Sequence, residues 1–187
     1  MSAKPVRWTY EEFAKLPTPG KRTEILDDEL YISPVPPPSH QRVVARSVGL
    51  LEPFVRDNSL GEIILGPIDV LFQDGDFVQP DLVFVGTERA HIVSERGVEG
   101  APDVIVEVVS SATATLDYQM KRDRYAHFVV PEYWIVDPLR REVAIWTPGN
   151  RLRPRLCVSA DESFTWQPRP DGPALTIRIS ELLQDID

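Results

Sequence analysis

The chain has 187 residues, of which 42% are hydrophobic, and its formal net charge is −9. This length fits one domain spanning residues 1–187, because domains usually have about 100–200 residues, and the hydrophobic share is sufficient for a core. The acidic balance argues against a general nucleic-acid coat protein, because phosphate binding depends on Lys and Arg.

Membrane and secretory signals are missing from the sequence. No stretch approaches the about 20 apolar residues of a membrane span, and the first five residues lack the apolar core of a signal peptide. A single cysteine, Cys157, allows neither an internal disulfide framework nor a thiolate metal cluster. We therefore expect a cytoplasmic protein with no membrane partner.

The charge is unevenly distributed along the chain. Residues 1–137 hold 22 of the 29 acidic residues, whereas 138–187 hold seven acidic and seven basic residues. An acidic centre with a local basic strip suits a metal site that serves an anionic polymer, and it equally suits an ordinary acidic protein. Charge alone favours the second explanation.

In the first half of the chain, residue periodicity predicts a helix, a hairpin and a longer helix. A short helix is expected over 8–13, a β-hairpin over 23–33 with its turn at Asp27-Asp28, and a helix over about 40–56 capped by Ser39. Strands are expected at 61–65, 68–72 and 77–85, the last two joined by a turn at Asp74-Gly75.

In the second half, residues 104–109 form a nearly continuous apolar run, which is typical of a central strand buried on both faces. A helix over 115–129, strands at 133–136 and 142–146, edge strands at 152–158 and 175–179, and a terminal turn at 179–183 complete the pattern. The sequence therefore predicts an α/β (α+β) fold, a mixed β-sheet flanked by helices with an N-terminal hairpin.

Glu107 is the residue that fits this pattern least. It lies within a β-branched run that should be buried, where a lone carboxylate costs several kcal/mol unless it is paired, protonated or bound to a metal. The alternative is that the strand emerges at one edge and leaves Glu107 in water.

Three further acidic residues could join Glu107. Asp81 follows Pro80 at a strand start, Glu24 opens the hairpin, and Asp69 could share a side with Asp81 by strand alternation. Each also has an ordinary structural explanation, namely a bend, an exposed hairpin position and a solvated residue. Carboxylate oxygens suit Mg²⁺ or Mn²⁺, and the three histidines form no zinc-binding pattern.

At this point the residues match a known pattern. Pro80-Asp81 followed by Glu107 resembles the PD-(D/E)XK nuclease superfamily, and the chain further resembles the Uma family of "putative restriction endonucleases". The resemblance is carried, in family order, by residues 22–31, 37–42, 79–85, 100–110, 117–122 and 130–138.

The resemblance implies a restriction-endonuclease-like core and a Mg²⁺- or Mn²⁺-dependent endonuclease acting on DNA. It implies Asp81 and Glu107 as metal ligands and Glu24 as an accessory acid. The superfamily's usual lysine, two residues after the second acid, is replaced by Val109, and the resemblance places it on the following helix as Lys121. There it would orient or activate the attacking water and stabilise charge on the phosphate; otherwise Lys121 would be a solvated helical lysine.

Two loops depart from the family pattern. Asp28 stands where the family usually has glycine, and Ser110-Ser111-Ala112-Thr113 replaces Ser-Pro-Ser-Thr. Neither change touches a proposed ligand. His40 matches a family position, where it would touch substrate or cap the site, or serve a structural role.

Two other functional interpretations remain open. The chain could be a catalytically silent nucleic-acid-binding or regulatory module of the same fold, or its acids could pair with Arg22, Arg122 or Arg124 in a salt-bridge network. Arg151, Arg153 and Arg155 alternate along a predicted strand, so they form a phosphate-contacting strip or pair with surface acids. A homodimer is expected if two strands are cut, because symmetric dimers are the commonest oligomers.

Overall fold

The computed structural model describes residues 10–13, 15, 22–73, 75–150 and 152–184. The α-helices in this part of the chain are α1 (Tyr10–Phe13), α2 (Pro38–Asp57), α3 (Arg122–His127) and α4 (Ile179–Leu182). A 3-10 helix spans Thr87–Ile92, and a π-helix, Leu116–Lys121, leads directly into α3. The strands are β1 (Arg22–Leu26), β2 (Glu29–Ser33), β3 (Gly61–Leu65), β4 (Val70–Leu71), β5 (Phe77–Val78), β6 (Leu82–Gly86), β7 (Val93–Ser94), β8 (Gly97–Glu99), β9 (Val104–Val108), β10 (Glu132–Asp137), β11 (Glu142–Trp146), β12 (Leu156–Ser159), β13 (Ser163–Trp166) and β14 (Leu175–Arg178).

The central sheet has the strand order β12-β11-β10-β9-β6-β3. β9 and β10 run parallel, with Glu107 paired to Ile135, and the other neighbours are antiparallel. Every residue of β9 is buried, as expected for a β-branched strand covered on both faces. The parallel pair requires a crossover connection, and the π-helix and α3 form it.

A second sheet, β2-β1-β5-β4-β8-β7, carries the N-terminal hairpin. Its turn residues Asp27 and Asp28 have φ of 54° and 67°, the left-handed conformation that a tight two-residue hairpin turn requires and that Asp tolerates. β1 also pairs with β5 at Ile25 and Phe77, so the second sheet holds Glu24 in a fixed place.

The core lies on both faces of the central sheet. On one face, α2 and the C-terminal β13, β14 and α4 cover alternate residues of β9 and β10, with Trp134 packed edge-to-face against Phe164 and Trp166. The other face packs against the second sheet, the π-helix and α3. No helix among the described residues is long and apolar enough to cross a membrane.

The predicted fold class, hairpin, long helix and central strands are confirmed. The expected strand over 77–85 is interrupted at residues 79–81, where Pro80 cannot donate a ladder hydrogen bond. The predicted Ser39 cap is wrong, because Pro37 is the N-cap residue and α2 begins at Pro38. Sequence patterns missed β7, β8 and β13, and residues 8, 9 and 74 of the expected helix and turn lie outside the described residues.

Candidate active site

Three of the four acidic residues singled out by sequence meet at the face of the central sheet that packs against the second sheet. Glu107 points to this face together with Ile105 and Val83, since β-strand side chains alternate. Asp81, immediately before β6, lies beside β9 and accepts a hydrogen bond from the Val108 backbone N–H at 2.8 Å. Glu24 reaches the same point from β1. Only 1% of Glu24, 1% of Glu107 and 9% of Asp81 is exposed.

Glu107 lies at the centre of the cluster. Its Oε1 accepts hydrogen bonds from Lys121 Nζ at 2.8 Å and from the Tyr125 hydroxyl at 3.2 Å, and its Oε2 accepts one from Arg22 Nη2 at 2.6 Å. Burial raises the pKa of Glu107 to about 7, even though Arg22 and Lys121 oppose that rise. Glu107 is therefore buried as predicted, and its carboxyl is paired with two cationic side chains.

Lys121 sits at the end of the π-helix, with 1% of its side chain exposed. Its Nζ lies 2.8 Å from Glu107 Oε1, 2.9 Å from Glu24 Oε1 and 3.5 Å from Asp117 Oδ1. Burial and Arg22 act to lower the pKa of Lys121, but Glu107, Glu24 and Asp117 raise it above its ordinary value. The structure thus places on the helix after β9 an ammonium group that contacts three carboxyls.

Asp81 is held by two side chains besides the backbone of β9. Arg22 Nη1 donates to its Oδ1 at 3.1 Å, and His40 Nε2 lies 3.2 Å from its Oδ2. Although burial alone would raise the pKa of Asp81, His40 and Arg22 bring it below its ordinary value. His40, on the first turn of α2, is itself buried, and its Nδ1 has no hydrogen-bond partner.

Glu24, on β1, is held by the residue that directly follows β5, its neighbouring strand. Its Oε1 accepts a hydrogen bond from the Gln79 backbone N–H at 2.9 Å in addition to its contact with Lys121. Burial acts to raise the pKa of Glu24, but Lys121 and Arg22 outweigh it and lower that pKa. Its Oε2 is buried without a partner, so this carboxylate retains an unused acceptor.

Arg22 is the member of the cluster that sequence patterns missed as a site residue. Its guanidinium contacts Glu24 at 3.6 Å, Asp81 at 3.1 Å and Glu107 at 2.6 Å. It stands two positions before Glu24 on β1, and strand alternation puts both side chains on one face. This two-residue spacing is the sequence signal that could have placed Arg22 beside Glu24. Asp117 was also missed; it is buried, and burial raises its pKa.

Two clefts open beside the cluster, on either side of the proline-rich segment 34–37. One has a volume of about 480 Å³ and is lined by Arg22, Asp81 and Pro80 among others. The other, about 540 Å³, is lined by His40, Ser110 and Arg141 among others. The expected salt-bridge network of the acids with Arg22 exists, but it borders open space, whereas Arg124 pairs elsewhere, with Asp76 and Asp27.

The remaining predicted residues lie away from the cluster. Asp69 accepts hydrogen bonds from Tyr10 and from the Gln79 side chain, so it supports Gln79 rather than facing Asp81. Arg155 pairs with Glu132 at 2.6 Å beside β12, the third strand from β9, and Arg153 is exposed. Because β12 begins only at Leu156, the expected strand alternation of the arginines is wrong for Arg153 and Arg155; Arg151 lies outside the described residues.

The donor set suits a hard divalent cation. Four buried carboxyls, those of Glu24, Asp81, Glu107 and Asp117, face the two permanent cations Arg22 and Lys121, which leaves negative charge for a further cation to balance. Asp81 and Glu107 both turn one oxygen to the same guanidinium, and Glu24 Oε2 has no partner. Within the described ranges no three acidic, His or Cys side chains form a ready-made metal cage. The guanidinium of Arg22 lies between Asp81 and Glu107 and contacts both.

Comparisons with known proteins bear on the family and the fold of the chain. The model of the Uma2 family, described as "Putative restriction endonuclease", matches residues 10–180. The crystal structure of a "putative nuclease belonging to DUF820" from Anabaena variabilis ATCC 29413 has a TM-score of 0.77 with this chain at 18% identity, covering 96% of this chain and 99% of that one. At that identity the likeness establishes the fold. No curated protein matches.

Proposed function

The chain belongs to the Uma2 family, and from this membership we propose that it is a Mg²⁺- or Mn²⁺-dependent endonuclease that hydrolyses DNA phosphodiester bonds. The observation that carries the proposal is the convergence of Asp81 and Glu107 on one cationic group, with Lys121 within 2.8 Å of Glu107. Two acids and a lysine gathered beside a cleft that Asp81 lines suit metal-assisted hydrolysis of a phosphodiester.

Each residue would have a distinct role. Asp81 and Glu107 would hold the divalent cation, with Glu24 as a third, accessory acid. When bound, that cation neutralises charge on the phosphate and lowers the pKa of an attacking water. Lys121, kept charged by its acidic neighbours, would orient that water and stabilise negative charge as it develops on the phosphate.

The direct test is nicking of supercoiled plasmid DNA with Mg²⁺ or Mn²⁺. Asp81→Asn and Glu107→Gln keep the shape of each side chain and remove its charge, so we expect the nicking rate to fall by about 100-fold or more. Glu62→Gln, an exposed acid on β3, is the matched control and should keep the wild-type rate. Full activity in Asp81→Asn and Glu107→Gln would refute the proposal.

One observation favours a second candidate, a nucleic-acid-binding module without catalysis. The acids already have partners in Arg22 and Lys121, so the cluster is held together without a metal ion. Isothermal titration separates the two candidates. DNA binding without any uptake of Mn²⁺ would establish the silent module, whereas Mn²⁺ binding that is lost in Asp81→Asn would support the nuclease.

Finer parts of the proposal concern the substrate and the assembly. His40 would contact the substrate from the cleft of about 540 Å³, and Arg153 and Arg155 would contact phosphates farther away; single alanine variants at these positions should weaken DNA binding. Cutting both strands would use two copies of the site in a symmetric homodimer. Light scattering of the purified protein measures that state, and a monomer at all concentrations would contradict it.

A further inference from the structure

The guanidinium of Arg22 bridges the two acids that are the proposed metal ligands. Nη1 lies 3.1 Å from Asp81 Oδ1, and Nη2 lies 2.6 Å from Glu107 Oε2. The two contacts are made by neighbouring nitrogens of one planar group, so the two carboxylate oxygens are held at the spacing of a guanidinium fork. Arg22 therefore joins this pair of acids as a bound metal ion would.

A divalent cation and the guanidinium cannot use these oxygens together. Mg²⁺ binds carboxylate oxygens at about 2.0–2.1 Å, which requires the lone pairs that now accept hydrogen bonds from Arg22. Asp81 Oδ2 is already engaged by His40 and by the Val108 N–H, and Glu107 Oε1 by Lys121 and Tyr125. The oxygens facing Arg22 are thus the ones left for a cation.

The cleft beside Arg22 has room for a second position of its side chain. It is 12% exposed, and its side chain lines the cleft of about 480 Å³ together with Asp81. Its Nε is buried without a hydrogen-bond partner. A guanidinium carries five N–H donors in a fork that matches phosphate oxygens, and it stays charged in any environment. In the cleft it would stand beside the acids, where the reacting phosphate must lie.

We propose that Arg22 is a phosphate-binding residue that alternates between two positions: it bridges Asp81 and Glu107 in the metal-free protein and turns into the cleft to hold the substrate phosphate when the cation binds. This inference rests on the proposed function. Arg22 would then lower the affinity for the divalent cation, with which it competes, and raise the affinity for DNA, whose phosphate it holds.

The test measures both affinities by isothermal titration, with Mn²⁺ alone and with an oligonucleotide in Ca²⁺. Arg22→Met removes both roles, so Mn²⁺ should bind about tenfold tighter and DNA about tenfold more weakly. Arg22→Lys keeps the charge but lacks the planar fork whose two nitrogens reach Asp81 and Glu107 separately, so it too should bind Mn²⁺ more tightly than wild type. Arg56→Met, at an exposed arginine of α2, is the control and should change neither affinity.

The outcomes divide cleanly. Unchanged or weaker Mn²⁺ binding in Arg22→Met would overturn the inference, and so would wild-type affinity in Arg22→Lys, because charge alone would then explain the effect. If wild type takes up no Mn²⁺, the proposed function itself fails. Should the variants not fold, a crystal structure of wild type with Mn²⁺ decides. There we expect Arg22 in the cleft, and retention of both carboxylate contacts beside a bound ion would refute the proposal.

Discussion

Replacing Lys121 by methionine tests the electrostatics of the buried cluster most directly. The side chain is 1% exposed and lies 2.8 Å from Glu107 and 2.9 Å from Glu24. Methionine has a similar length and no charge, so it fills the space but leaves these carboxyls with Arg22 as their remaining cation. Breaking a buried ion pair by removing one partner costs about 3–5 kcal/mol, and we expect the free energy of unfolding to fall by that amount near pH 8.

The loss should depend on pH in a defined direction. Without Lys121, the pKa values of Glu107 and Glu24 in the folded protein rise. When a carboxyl has a higher pKa in the folded than in the unfolded protein, the free energy of unfolding decreases as pH increases above the unfolded pKa. Each such group contributes about 1.4 kcal/mol per pH unit within that window. The difference between wild type and Lys121→Met should therefore be smaller at pH 5 than at pH 8.

Urea unfolding followed by circular dichroism at both pH values measures this difference. Lys15→Met, at an exposed lysine, is the control and should stay within about 0.5 kcal/mol of wild type. The double variant Lys121→Met with Glu107→Gln removes one stranded charge and should recover part of the loss at pH 8. A loss below about 1 kcal/mol at pH 8, or an equal loss at both pH values, would refute the charged pairing of Lys121.

Two further predictions concern the metal and the frame around the site. Glu107 must be ionised to hold a cation, and its pKa is raised to about 7. Wild-type Mn²⁺ affinity should therefore increase with pH below 7, by up to about tenfold per unit, and level off above it. Titrations from pH 5.5 to 8.5 should show no such slope for Glu107→Gln, and a wild-type affinity independent of pH would contradict the assignment. Asp76 contacts Arg124 at 2.6 Å and thereby joins α3 to the hairpin turn, and Asp76→Asn weakens this contact. Urea unfolding should show that the free energy of unfolding falls by about 1–3 kcal/mol. An unchanged free energy of unfolding would mean that this contact does not hold the two elements together.

The sequence was sufficient to place the acids on their strands. Glu107 was identifiable because a charge in a β-branched run needs a partner, and the structure shows that partner in Lys121 and Arg22. Pro80 marked the start of the strand that follows Asp81. The fold class followed from periodicity, since the long helix and the strands of the central sheet have clear apolar patterns.

The parts of the site that could not be predicted from the sequence depend on contacts between residues far apart in the chain. Arg22 meets Asp81 across 59 positions and Glu107 across 85, and an arginine at the start of a hairpin strand looks like a surface residue until the second sheet is in place. Lys121 was placed near the site only through the family resemblance. The two-residue strand β7 is too short for a periodic signal.

The π-helix between β9 and β10 gives the site a dependence on chain length. Leu116–Lys121 accommodates one residue more than an α-helical path would, and Lys121 and Tyr125, one turn apart, both reach Glu107 Oε1. In an α-helix each residue adds about 100° of rotation, so deleting one residue before Lys121 would turn the ammonium away from the acids while every residue of the cluster remained in the chain. In this protein the spacing between Glu107 and Lys121 is therefore as much a part of the site as the two side chains.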